Sequence, residues 1–248
     1  MSAVVKERID KLLLERGMAE TDARARALVM SGVVLVDDRR VEKASEKFPP
    51  DATIRVKGVD KALRYVGRGG LKLEAALREF AIDPTGKNCI DIGSSTGGFT
   101  DCLLQHGASR VTSVDAGTNQ LVWSLRTDPR VEVRERTNAR ELSPDEFTLA
   151  FDLAVVDVSF ISVTKILPAV TSLLVTTGSI IALIKPQFEV RRGEVGEGGI
   201  VREAKKHARV VNEVNTFAAS LGLTLKGGIE SPILGAQGNR EFLVWYAK

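Results

Sequence analysis

The segment Asp91-Ile92-Gly93-Ser94-Ser95-Thr96-Gly97-Gly98-Phe99-Thr100 ends an apolar, strand-like run and opens a helical one. Glycines at such a turn let the backbone approach a ligand closely, and a helix N-terminus favours a negative group such as a carboxylate. The pattern is D-x-G-x-x-x-G-G, not the G-x-G-x-x-G that cradles a pyrophosphate. An acid before the first glycine, Asp91, is badly placed against pyrophosphate and suits an ammonium group. Asp115 ends the next apolar run, where a carboxylate can accept the hydroxyls of a ribose. A turn that merely joined strand to helix would need no acid there. Together these residues favour S-adenosylmethionine over a nicotinamide cofactor, with Gly93, Ser94, Ser95, Thr96, Gly97, Gly98 and Phe99 forming the turn. Asn138 and Ala139, after the third strand, fall where adenine would lie.

Four further ionisable residues stand at strand ends or beside glycines. Asp157 follows Leu153–Val156, at the carboxyl edge where open α/β sheets bind ligands. Lys185 closes Ile180–Ile184 directly before Pro186. Glu241 lies between Gly238-Asn239-Arg240 and the last apolar strand, and Lys72 follows Arg68-Gly69-Gly70. A Lys-Asp-Lys-Glu set is chemically suited to methylating a ribose 2′-hydroxyl. A sulfonium methyl is already electrophilic, whereas the hydroxyl is a poor nucleophile that must lose its proton. One lysine held neutral can take that proton, a second, charged lysine can stabilise the alkoxide, and carboxylates can orient both. Taken singly, Lys72 also reads as a surface lysine, Asp157 as a loop cap, and Glu241 as pairing with the neighbours of Arg240 on a strand edge. Cys89 and Cys102 are too few for a disulfide framework, lack metal-ligand company and are expected to pack in the core; no metal is expected.

These residues need a scaffold, and the remainder of the chain supplies one. Strands are expected at Cys89–Ile92, Val111–Asp115, Val131–Val133, Leu149–Val156, Ser179–Ile184, Leu223–Ile229 and Phe242–Ala247. Helices are expected at Gly98–Gln105, Asn119–Leu125, Ser162–Leu174 and Arg202–Leu221. Such alternation predicts an α/β fold with a seven-stranded, Rossmann-like, mostly parallel sheet. Residues 186–201 are Gly-rich, charged and too irregular for an element. A long loop beside a strand end fits a lid or clamp, with Arg191 and Arg192 as phosphate contacts or as plain solvated charge.

Ahead of this region the chain changes character. Residues 6–16 place Ile9, Leu12 and Leu13 on one helical face, ended by Gly17. Thr21-Asp22 caps a second helix that Gly32 stops, and Val33–Val36, Asp37-Asp38 and Arg39–Val41 read as a hairpin. Pro49-Pro50 precedes a strand at Thr53–Val56. This stretch, and RIDKLLLERG with ARALVMSGVVLVDDRRV in particular, resembles the small α+β RNA-binding domain named after ribosomal protein S4. The resemblance implies contacts from Arg8, Lys11, Arg24 and Arg26 to RNA phosphates and folded RNA shapes, with Arg68, ahead of the second domain, added to them. The expected division is therefore 1–60 for RNA binding, 61–85 for a linker and packing helix, and 86–248 for the methyltransferase domain.

Composition sets bounds and excludes some classes. The chain has 248 residues, 44% hydrophobic and 27% charged, with a formal net charge of +3. That describes a globular protein whose basic residues become a binding face only on folding. The N-terminus lacks an apolar stretch of signal-peptide length. Ile166–Ile184 carries no charge and approaches a membrane span in length. Its Pro168, Thr176, Thr177 and Gly178 make it instead a helix, a Thr-Thr-Gly turn and a buried strand. A cytoplasmic protein with no membrane partner is expected; the sequence fixes no oligomeric state and is compatible with a monomer.

Over nearly its whole length the chain resembles the TlyA, or haemolysin A, family, in which the small RNA-binding domain precedes an FtsJ/RrmJ-like methyltransferase domain. The residues that carry this are RIDKLLLERG, VGRGGLKL, DIGSSTGGFTDCLL, DVSFIS, LIKPQFE and GNREFLVW. The resemblance implies a ribosomal RNA cytidine 2′-O-methyltransferase acting on ribosomal subunits, with the family's catalytic tetrad on Lys72, Asp157, Lys185 and Glu241. Where the family's linker often reads Trp-Val, this chain has Tyr65-Val66. Two other classes stand beside this reading. A membrane-lytic protein lacks support in any signal peptide or cationic amphipathic segment, and an RNA-binding assembly factor with an inactive fold would not need the intact loop and charged set. Base methylation would want an Asn/Asp-Pro-Pro-aromatic motif or a nucleophilic Cys.

Overall fold

The structure, a computed structural model, describes residues 6–16, 18, 19, 21–56 and 64–248. The chain forms two compact units, Met1–Arg64 and Tyr65–Lys248. The boundary expected at residue 60, and Gly17 as a helix stop, fall outside the described residues.

In the first unit, strand β1 (Glu7–Arg8) leads into helix α1 (Ile9–Glu15), and helix α2 (Asp22–Met30) follows. Thr21 Oγ1 accepts the Arg24 N–H at 3.2 Å, the N-cap expected from Thr21-Asp22. The first helix is shorter than 6–16 because Glu7 and Arg8 are extended and pair antiparallel with β4 (Lys47–Phe48). Strand β2 (Val34–Val36) pairs with β3 (Arg39–Arg40) and β5 (Ile54–Val56). The β2–β3 turn places Asp37 and Asp38 at φ 49° and 65°, the left-handed geometry that a two-residue hairpin favours. Ile9, Leu12, Leu13, Leu28, Val29, Val34, Val36 and Ile54 form this unit's core.

In the second unit, helix α3 (Gly69–Glu79) precedes a sheet of seven strands. They are β6 (Asn88–Ile92), β7 (Arg110–Val114), β8 (Val131–Arg134), β9 (Phe151–Val156), β10 (Leu174–Ile184), β11 (Thr224–Glu230) and β12 (Phe242–Ala247). Their order is β11-β12-β10-β9-β6-β7-β8, parallel from β10 to β8, with β12 antiparallel to both β10 and β11. Alternate residues feed two cores, as the period of an extended chain requires. On one face Leu73, Leu77 and Leu103, from α3 and α4 (Gly98–Gln105), pack against Cys89, Val111, Leu153, Val155 and Ile181. On the other, α6 (Leu167–Leu173) and α8 (Ala204–Ser220) pack Val170, Val214 and Ala218 against Ile90, Val156 and Ala182. Both cysteines are buried in the first of these cores.

Several sequence expectations need correction. Asn119–Leu125 is not a helix: Asn119 takes φ 54°, and only α5 (Trp123–Arg126) is helical. The segment 162–174 splits into a 3-10 turn, Val163–Lys165, and α6, because Pro168 lacks an amide hydrogen and is accepted only in a helix's first turn. Thr176-Thr177-Gly178 is no turn but part of β10, which pairs irregularly with β9 between Leu174 and Ser179. Residues 186–201 do hold local structure: helix α7 (Pro186–Glu189) and a 3-10 turn at Glu197–Gly199. Among the described residues no helix is long and apolar enough to cross a membrane.

Candidate active site

Strand register brings the chemistry to one edge. Val114, Ile92 and Val156 are aligned across β7, β6 and β9, so Asp115, Gly93 and Asp157 each stand one residue beyond that row. Ile184 pairs with Phe242. Because β12 runs antiparallel, Glu241 enters its strand at the same edge that Lys185 leaves. The carboxyl ends of four parallel strands and the amino end of an antiparallel one therefore converge.

The four ionisable residues form two ion pairs. Lys72 Nζ donates to Glu241 Oε2 at 2.5 Å, and both residues are buried, at 8% and 2% exposure. Lys185 Nζ lies 2.6 Å from Asp157 Oδ1 and donates to Ser159 Oγ at 2.8 Å. The Lys72–Glu241 contact is a charge-assisted hydrogen bond, the strong kind, whereas Lys185–Asp157 is an ion pair in which Asp157 Oδ1 accepts no hydrogen bond among the described residues. Lys72 is thus no surface lysine: the α3 face carrying Gly70, Lys72, Leu73 and Ala76 is turned inward. Gly69, on the helix that carries Lys72, lies near the other pair: an added Cβ there would stand 3.8 Å from Asp157 Oδ2.

Two clefts flank this group. One of about 460 Å³ is lined by Gly93, Ser95, Asp115, Asn138, Ala139 and Asp157, with Val158, Phe160, Ile161 and Ile166 on its apolar side. The other, about 150 Å³, is lined by Gly93, Ser94, Ser95, Thr96, Gly98, Phe99 and Asp157. Asp157 belongs to both. Gly93 sits at φ 85°, and a Cβ there would come within 2.5 Å of the Asp157 carbonyl oxygen, so only glycine fits. Asp115 is held at the rim: its Oδ2 accepts the Ser95 N–H at 2.8 Å and its Oδ1 the Gly117 N–H at 2.7 Å. Gly97, at φ 100°, caps α4 and lines neither cleft. The Asn138 amide is engaged with its own loop, donating to Glu141 and accepting from Arg140.

Asp91 is placed differently from the sequence expectation. It is fully buried beneath the loop and lines neither cleft. Thr100 Oγ1 donates to its Oδ2 at 2.7 Å, while its buried Oδ1 has no hydrogen-bond partner among the described residues. Burial pushes its carboxyl up to about 7, partly opposed by Thr100 and reinforced by the nearby Asp157 and Asp115 charges.

Sequence reasoning missed Ser159, the hydroxyl on Lys185, and Glu189, which accepts from Ser162 Oγ at 2.6 Å and from Val163 N–H at 2.7 Å. Burial raises the Glu189 carboxyl. The available signal was the placement of Ser159 in DVSFIS and of Glu189 in KPQFE.

Of the expected RNA contacts, Lys11 is exposed and Arg24 half-buried. Arg8 forks onto the buried Asp10 at 2.9 and 2.7 Å, and Arg26 approaches the same carboxylate at 3.5 Å. Arg68 donates to the Leu234 carbonyl at 3.1 Å. Among the described residues no group of three or more His, Cys, Asp or Glu is placed to hold a metal.

Comparisons with known proteins bear on the two units. A family profile described as FtsJ-like methyltransferase matches residues 65–248, and one described as S4 domain matches residues 7–54. YqxC of Bacillus subtilis is 51% identical over 240 residues, covering 96% of this chain and 85% of that protein. The 16S/23S rRNA (cytidine-2′-O)-methyltransferase TlyA of Mycobacterium tuberculosis is 42% identical, over 97% of this chain and 89% of that one. A solved structure of a hemolysin-named protein from Streptococcus thermophilus is 46% identical, with a TM-score of 0.77 over 99% of this chain and 90% of the other.

Proposed function

Since this chain belongs to the TlyA family of S4-domain, FtsJ-like methyltransferases, we propose that it transfers a methyl group from S-adenosylmethionine to the 2′-hydroxyl of a cytidine in ribosomal RNA. What supports this reading is the Lys185–Asp157 ion pair beside a cleft that Asp157 shares with the glycine loop, with the buried Lys72–Glu241 pair at the same edge of the sheet.

The residues present fit the cofactor. Asp115 has its carboxylate fixed at the rim by two backbone donors, leaving lone pairs for ribose hydroxyls. Val158, Ile161 and Ile166 give the larger cleft an apolar wall suited to adenine, with Asn138 and Ala139 at its edge. Gly93, Ser94, Ser95, Thr96, Gly98 and Phe99 line the smaller cleft, where the methionine moiety fits, and Gly97 caps the helix behind it. Asp91 lies beneath the glycine loop and supports it through Thr100 rather than by touching the cofactor. When bound, S-adenosylmethionine supplies a methyl group already activated by its sulfonium.

The protein's own task is the hydroxyl. Lys185 stands next to Asp157, which borders both clefts, and takes the 2′-hydroxyl proton after giving up its own ammonium proton to solvent. Asp157 and Ser159 fix its Nζ. Lys72, paired with Glu241, stabilises the developing alkoxide. A positioned proton acceptor of this kind contributes about 10²–10⁴-fold.

Residues 1–60 supply RNA affinity, with Lys11 and Arg24 as direct contacts; Arg8, Arg26 and Arg68 join them once their present partners are exchanged for phosphate. Residues 61–85 link this domain to the methyltransferase domain of 86–248 and pack a helix on it. The partner is a ribosomal subunit, and the setting is the cytoplasm.

The test is transfer of labelled methyl to purified ribosomal subunits, mapped by resistance to alkaline cleavage. Lys185→Ala is expected to lose transfer while keeping its fold and cofactor affinity, and Asp157→Ala to lose transfer. Absence of transfer to any ribosomal RNA would leave an RNA-binding assembly factor. Alkali-sensitive product would mean base methylation, and lysis of liposomes without cofactor binding would mean a membrane-active protein.

A further inference from the structure

The catalytic reading uses Lys185 and Asp157 but not the carboxylate four residues after Lys185. Glu189 ends the short helix α7, which Pro186 begins directly after Lys185. Its two oxygens reach back across the site edge to the segment that follows Asp157. Oε2 accepts from Ser162 Oγ at 2.6 Å and Oε1 from the Val163 N–H at 2.7 Å. Ser162 is the N-cap of the 3-10 turn Val163–Lys165, so Glu189 grips the point where the loop re-enters regular structure.

This contact completes a series. The segments 157–163 and 185–189 are joined by Lys185 to Asp157 at 2.6 Å, by Lys185 to Ser159 at 2.8 Å, by the Phe160 and Phe188 rings with centroids 5.1 Å apart, and by Glu189 to Ser162 and Val163. The first two of these links are the ones that chemistry must disturb when Lys185 turns to substrate. The ring contact is non-directional, and Phe160 is 91% exposed at φ 65°. Among the described residues, the Glu189 clamp is the link that holds the two segments at a fixed spacing with directional, charge-assisted bonds lying outside the reacting group.

We propose that Glu189 is a positioning residue: by gripping Ser162 and Val163 it sets the distance between the strand end that carries Lys185 and the loop that carries Asp157 and Ser159. Its carboxylate touches neither cleft, so it acts through those residues and not on substrate or cofactor. The inference rests on Lys185–Asp157 being the proton-handling pair.

Glu189→Ala, Glu189→Gln and Lys185→Ala in the full chain distinguish the two claims, using methyl transfer to ribosomal subunits, cofactor affinity by calorimetry and thermal unfolding. Glu189→Ala is expected to lower kcat by about 10–100-fold, the cost of a misplacement on the scale of an ångström, with KM for the cofactor within about twofold. Glu189→Gln should recover most of the rate, because an amide oxygen still accepts from Val163 N–H while the Ser162 hydroxyl turns to accept from the amide nitrogen. If Lys185→Ala is inactive but Glu189→Ala turns over normally, the clamp is overturned and the catalytic reading stands. If Lys185→Ala keeps full activity, the catalytic reading itself fails. A Glu189→Ala that loses rate and cofactor affinity together, with no rescue by Glu189→Gln, shows a merely structural carboxylate and also overturns the proposal.

Discussion

Lys72 Nζ and Glu241 Oε2 lie 2.5 Å apart, joining a helix that precedes the sheet to the strand that ends the chain. Both are buried, so neither charge has water to fall back on. Lys72→Met alone should leave Glu241 uncompensated and destabilise the protein by about 3–5 kcal/mol. Lys72→Met with Glu241→Leu should cost clearly less than the sum of the two single changes. Denaturant unfolding of the three variants measures this, and additive losses would show that the pair is not coupled.

Asp115 accepts two backbone N–H groups, from Ser95 in the glycine loop and Gly117 in the next turn. Asp115→Ala removes both acceptors and the group proposed to hold the cofactor's ribose. Hydrogen bonds to a charged group contribute about 1.5–3 kcal/mol each, so cofactor affinity should weaken by roughly 10–100-fold. Calorimetric titration with S-adenosylmethionine and with S-adenosylhomocysteine should show the same loss for both, because both carry the ribose. A loss confined to one ligand would contradict the assignment.

Asp91 is buried with its carboxyl raised from 3.8 to about 7. A raised folded-state value means that the folded protein holds this proton more tightly than the unfolded chain does. The stabilisation is full below the ordinary carboxylate range and is lost as pH climbs through about 7. Asp91→Asn cannot ionise and escapes that loss. The Tm of Asp91→Asn relative to the parent should therefore rise between pH 5 and pH 8 in the absence of cofactor, reflecting on the order of a few kcal/mol at most. A difference that stays flat across this range would show that Asp91 is already ionised when folded.

The sheet was legible because strand and helix leave different periods in the sequence, and each strand of the second unit was found within a few residues. The misreadings were local. Asn119–Leu125 looked helical by composition, but Asn119 sits in the left-handed region, which its short polar side chain tolerates. Thr176-Thr177-Gly178 looked like a turn, yet β10 passes through it, because pairing with β9 resumes at Ser179. At the loop, composition could not say that Asp91 points under the glycines rather than into a cleft, since burial depends on what packs behind the strand.

By itself the sequence determined the kinds of chemistry available: a glycine turn after a strand, an acid ending the next strand, two lysines and two acids beside strand ends. It also determined the separate small α+β unit, through caps and turns that act over a few residues. The tertiary structure decided which lysine meets which acid. Lys185 and Asp157 sit on neighbouring parallel strands, whereas Glu241 reaches the same edge only because β12 runs the other way, and Lys72 only because an inward helix face buries it. Caps, turns and periodicity are set by near neighbours along the chain, but strand direction, register and burial are set by residues far away, and ion pairs form wherever those place their charges.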